Sequence, residues 1–105
     1  KNLGRTQVVI LRAKKRPFTA AMGAKVSSWF NVTDPRKLRQ LDPKDPDAVN
    51  DLAESVKQVQ KIMDDKCEEL NVGHRGIVVI GFGQGGILSL VASLCYGSGN
   101  AKYIP

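Results

Sequence analysis

Six residues, Gly81-Phe82-Gly83-Gln84-Gly85-Gly86, follow directly on the apolar run Ile77-Val78-Val79-Ile80 and precede an apolar helical pattern. A strand, a glycine turn and a helix in that order leave free backbone N–H groups at a helix N-terminus, which suits an anion or a developing oxyanion. Gly81, Gly83 and Gly85 have the spacing of G-x-S-x-G, the sharp elbow that projects a nucleophilic serine from a sheet edge, with Gly83 where the serine would stand. Gly81, Gly83 and Gly86 equally satisfy G-x-G-x-x-G, a dinucleotide-binding turn. That chemistry asks for an acidic residue at the end of the next strand to hold a ribose, and Lys102-Tyr103-Ile104-Pro105 has none. A third reading gives the small residues no task beyond close packing of helix on strand.

Few other residues suggest chemistry. His74, the only histidine, sits in the turn Gly73-His74-Arg75-Gly76 and is expected to be an exposed turn residue. Ser89 and Ser93 lie further along the helix and are not expected to reach the elbow. Cys67 and Cys95 match no metal-ligand spacing, so both are expected as buried, reduced thiols, which suits an intracellular compartment, the cytoplasm first. No metal and no cofactor is implied.

A chain of 105 residues is one domain, and its composition, 42% hydrophobic and 25% charged, is that of an ordinary globular protein. The apolar runs at residues 7–11 and 77–80 are too short to span a bilayer, so no transmembrane segment is expected. The opening Lys1-Asn2-Leu3 lacks an initiator methionine, which predicts a processed product or a piece of something longer.

The net charge of +6 is concentrated at one end: residues 1–39 carry ten basic groups against Asp34 alone, and the remaining six basic and nine acidic residues leave the rest at −3. Such a segment attracts phosphate on nucleic acid or an anionic surface. No aromatic platform interleaves these charges, so a solvated basic face is the expectation in preference to either partner.

The elements that must position the elbow follow from periodicity. Residues 7–11, Gln-Val-Val-Ile-Leu, form a continuous β-branched run, the pattern of a strand covered on both faces in a parallel sheet, and Ile77-Val78-Val79-Ile80 is a second. Between residues 12 and 45, Pro17, Gly23, Pro35 and Pro43 break any period and predict a long irregular loop. Asp45-Pro46-Asp47 then reads as a helix cap, with apolar residues at Val49, Leu52, Val56, Val59, Met63, Cys67 and Leu70 and a stop at Asn71-Val72-Gly73. A second helix runs to Tyr96, and residues 101–104 begin a third strand. The expected organisation is one truncated domain: a basic strand-plus-loop segment at 1–44, a long helix at 45–73, and the elbow strand, helix and start of a further strand at 74–105.

Gly81-Phe82-Gly83-Gln84-Gly85-Gly86 with the downstream Leu88-Ser89-Leu90 resembles the G-F-S-Q-G-G and L-S-L signature of acyl-protein thioesterases and the related lysophospholipase/carboxylesterase group. Arg16-Pro17-Phe18-Thr19 and Ser28-Trp29-Phe30-Asn31 resemble that family's R-P-V-T segment and S-W-F-D motif at closely similar spacing, and the likeness covers roughly residues 7–96. The upstream motifs favour a hydrolase-derived turn over a dinucleotide site. The resemblance implies a serine hydrolase fold acting on thioester or ester bonds of acylated proteins, lysophospholipids or small esters, through a Ser-Asp-His triad and an oxyanion hole.

At each of those parts this chain departs from the family. Gly83 occupies the nucleophile position, the other triad members lie beyond Pro105 in the family, and its H-G-x-G oxyanion loop has no counterpart before residue 7. The backbone N–H of Gln84 remains as an oxyanion-type donor. In the family sheet one strand lies between those matched by residues 7–11 and 77–80, so a gap is expected, unless residues 7–11 are themselves the oxyanion strand with its loop deleted. The predicted fold is therefore α/β, an incomplete α/β-hydrolase-like parallel sheet with flanking helices. A protein partner or the missing remainder of the chain is expected to cover it. The function expected is a degenerate, non-catalytic module with a structural or interaction role, the alternative being a fragment or variant of a serine esterase or thioesterase.

Overall fold

In a computed structural model of the chain, which describes residues 6–38 and 40–96, the long helix is the spine. Helix α1 spans Pro46–Leu70. Its start is fixed locally: the Asp45 carboxylate accepts from the Asp47 N–H at 3.0 Å, and Pro46, which has no N–H to leave orphaned, takes the first helical position. Its end is fixed by Asn71, which adopts the left-handed conformation (φ 54°, ψ 46°) while the Val72 N–H returns to the Cys67 carbonyl at 3.0 Å. Ala48, Leu52, Ser55, Val59, Met63 and Cys67 form the buried stripe, whereas Val49 and Leu70, expected among the apolar positions, lie exposed.

Helix α2, Gln84–Leu94, packs on α1 through Leu88 and Ala92. Gln60 on α1 donates to the Ala92 carbonyl at 3.0 Å, and the Tyr96 hydroxyl donates to the Asp64 carboxylate. Both bonds tie the end of α2 to the middle of α1. Phe18, Phe30, Val32, Leu52, Val59, Met63, Leu88, Ala92 and Tyr96 make the core between the helices and the segment before them. No helix among the described residues is long and apolar enough to cross a membrane.

The sheet differs from the one expected. Strands β1 (Lys15–Pro17) and β2 (Lys25–Ser27) pair antiparallel, Arg16 opposite Val26, inside the stretch that the sequence marks as loop. Met22 and Gly23, both at positive φ, turn the chain, and the Gly23 N–H bonds the Phe18 carbonyl at 2.9 Å. No parallel ladder forms among the described residues, and no backbone hydrogen bond joins residues 7–11 or 77–80 to another described residue. The physical reason is that a strand exists through its neighbour. Ile77 and Val79 still pack on the core, but Val78 and Ile80 are 83% and 87% exposed, an alternation with no covering layer among the described residues. The third strand expected at 101–104 and the helix stop at 97–100 lie outside the described residues.

Cys67 is buried as expected, and burial first, then the Asp64 charge, raises its thiol pKa. Cys95 corrects the expectation: it follows the last residue of α2 and is exposed.

Candidate functional site: the glycine elbow and the segment that clamps it

The elbow brings five expected site residues together. Gly81 runs so close under α2 that a Cβ there would lie 2.0 Å from the Gly85 carbonyl oxygen and 2.3 Å from Ser89 Oγ, so only glycine fits. Gly83 then takes φ 59°, ψ −125°, a backbone state that residues with side chains rarely adopt, and caps α2. A Cβ built on Gly83 meets nothing within 4 Å. The turn is closed by Gly85 N–H to Phe82 C=O and Gly86 N–H to Gly83 C=O, both at 2.9 Å. The backbone N–H of Gln84 has no partner among the described residues and lies at the positive end of α2.

Ser89 corrects the expectation that it stays clear of the elbow: its Oγ donates to the Gly85 carbonyl at 2.7 Å and lies against Gly81, because one turn of helix brings it back over the turn. His74 falls in the one-turn helix His74–Gly76 that precedes the elbow run.

The motif Ser28-Trp29-Phe30-Asn31 is held against the elbow by side chains that bond its main chain. Gln84 Oε1 accepts from Trp29 N at 2.9 Å and from Phe30 N at 3.4 Å, while its Nε2 donates to Phe30 O at 3.0 Å. From the opposite side, Ser55 Oγ donates to Trp29 O at 2.7 Å and Arg16 Nε donates to Ser28 O at 2.9 Å. Asn31 uses its own amide: Oδ1 accepts from Thr19 N at 2.8 Å, and Nδ2 donates to Thr19 Oγ1 and to the α1 cap Asp45. Ser28, Phe30 and Asn31 are buried and Trp29 half-buried, without regular secondary structure of their own, and these bonds supply the partners that a ladder would otherwise give.

Arg16 shows what the first motif does. It is buried, donates to Ser55 Oγ at 3.0 Å and to Glu54 at 2.6 Å, and lies 3.5 Å from Asp51. Hydrogen bonds from Lys14 and then Arg16 hold the Glu54 carboxyl down to about 2. Asp51 moves the other way, because burial outweighs the attraction of Arg16 and raises it. Neighbouring Pro17 sits exposed on the ribbon and takes no part in this network.

The structure thus joins Arg16, Ser28, Trp29, Phe30, Gln84 and the four glycines into one connected unit. It adds Ser55 and Asn31, and it gives the Gln84 side chain a task alongside its backbone. Ser55 carried a legible signal, a hydroxyl inside the apolar stripe of a long helix; the Gln84 amide carried none.

The sequence model of the phospholipase/carboxylesterase family matches residues 1–101, nearly the whole chain. The chain belongs to that family. No individual curated protein matches it.

Proposed function

We propose that this chain is a degenerate, non-catalytic α/β-hydrolase-like module, one domain with a structural or interaction role. The observation that carries the proposal is Gly83. It stands at the turn of a well-formed elbow, in open space, with no hydroxyl or thiol to attack an acyl carbon and nothing for a general base to activate. The nearby hydroxyl of Ser89 is bonded back to the helix. The Gln84 N–H is the oxyanion-type donor that the described elbow offers, and a donor without a nucleophile supports only residual catalysis. Exposed Val8, Ile10, Val78 and Ile80 support a protein partner, or further chain, that covers the two apolar runs. Apart from Arg16, which is buried and paired, the basic segment is taken as a solvated face, and RNA binding that disappears with salt would reassign it.

A second reading has one observation in its favour. The elbow keeps the backbone shape of a nucleophile turn and leaves room for a side chain at Gly83, as a fragment or variant of an acyl-protein-thioesterase-like serine hydrolase would. Its substrates would be acyl-thioester, lysophospholipid or carboxylic ester bonds. Treating the chain and its Gly83→Ser variant with a chromogenic short-chain ester and a fluorophosphonate probe separates the two. Neither turnover nor labelling is expected of the unmodified chain, and either one overturns the proposal.

A further inference from the structure

We propose that Gln84 is a positioning residue: the pairing of its side-chain amide with the main chain of Trp29 and Phe30 holds the elbow and aims the backbone N–H of the same residue. The inference concerns how the elbow is held and stands whether or not the chain catalyses anything.

A carboxamide carries the donor and acceptor of a peptide group, so it can replace one neighbour in a ladder. Gln84 does so at Phe30, accepting from its N–H and donating to its carbonyl, and it takes the Trp29 N–H as well. Phe30 is fully buried, so water cannot readily substitute for these bonds. The segment so gripped is itself fixed from α1 by Ser55 and from β1 by Arg16, which makes it a rigid anchor. The elbow has little else to hold it sideways, because the run before it has no backbone partner among the described residues. Residue length matters too: asparagine is one methylene short of the same three bonds, and methionine has the length without the polar atoms.

A reporter thiol reads the aim of the Gln84 N–H. In a Cys95→Ser background, which removes the exposed thiol, Gly83→Cys places a sulfur at the positive end of α2. The pH profile of its alkylation by iodoacetamide should show a pKa below the ordinary value of about 8.5. Adding Gln84→Met should return the profile to the ordinary value, with roughly a tenfold loss of thiolate at neutral pH for each unit of return. Amide hydrogen exchange should show Trp29 and Phe30 accelerated and the core amides of α1 unchanged. A profile indifferent to Gln84→Met, or Trp29 and Phe30 amides that exchange no faster, overturns the proposal. Should Gln84→Met lose protection throughout α1, the milder Gln84→Asn is judged by the same two readouts. On the unmodified chain, nuclear Overhauser contacts between the Gln84 side-chain amide protons and Phe30 are expected, and their absence alone also overturns it. Fluorophosphonate labelling of the unmodified chain would overturn the non-catalytic reading and leave this one standing.

Discussion

Gln84 Oε1 accepts the Trp29 backbone N–H at 2.9 Å, joining residues 55 positions apart in the chain. Through that contact, two motifs far apart in sequence become neighbours, and the elbow inherits the rigidity of a segment clamped from α1. Ser55 Oγ closes the other side by donating to Trp29 O at 2.7 Å while accepting from Arg16.

Ser55→Ala should therefore destabilise more than its small volume suggests. It strips a half-buried carbonyl of its donor and a buried guanidinium of an acceptor, at about 1–3 kcal/mol for the unsatisfied groups. Chemical denaturation reads this as a lowered midpoint at constant slope. An unchanged midpoint would mean that water replaces the hydroxyl.

Gly81 and Gly83 should respond differently to alanine. At Gly81 the new methyl collides with backbone of Gly85, so the strand-to-helix junction must shift. Gly83→Ala meets no atom and bears only the cost of its backbone conformation, about 1–3 kcal/mol. Thermal unfolding of the two variants should rank Gly81→Ala as the more damaging, and the reverse order would contradict the elbow geometry described above.

Acid should act through Glu54. Its folded pKa, about 2, lies below its ordinary 4.5, so the stabilisation from Lys14 and Arg16 is complete above 4.5 and is lost as pH falls towards 2. Because Glu54 is exposed, the effect on stability is small, and the clearer readout is its NMR titration. Lys14→Ala should raise the Glu54 titration midpoint, and Arg16→Met should raise it too. A Glu54 that titrates normally in the parent chain would remove both ion pairs from the account.

What the sequence revealed of this fold depended on how local the cause was. Helix α1 was legible at both ends because Asp45, Pro46 and Asn71 act on their immediate neighbours. The parallel strands were not, since residues 7–11 and 77–80 have the composition of buried strands but no hydrogen-bonded neighbour among the described residues. The ribbon β1–β2 was missed for the converse reason: three-residue strands containing Pro17 and a buried Arg16 show no apolar alternation. At the site, the glycines and the Ser-Trp-Phe motif were recognisable by resemblance, whereas their union through a glutamine side chain depends on tertiary placement. The apolar helix pattern runs on past Leu94, the last residue of α2, so the sequence points to a buried Cys95 where the structure leaves it exposed.

The most direct test of the central claim is intact-mass analysis of the purified, unmodified chain after incubation with a fluorophosphonate probe. With Gly83 at the nucleophile position, the mass should be unchanged at any practical exposure, and ester turnover should not exceed the buffer rate. A stoichiometric phosphonyl adduct on the unmodified chain would contradict the account, because a working nucleophile would then lie outside the elbow.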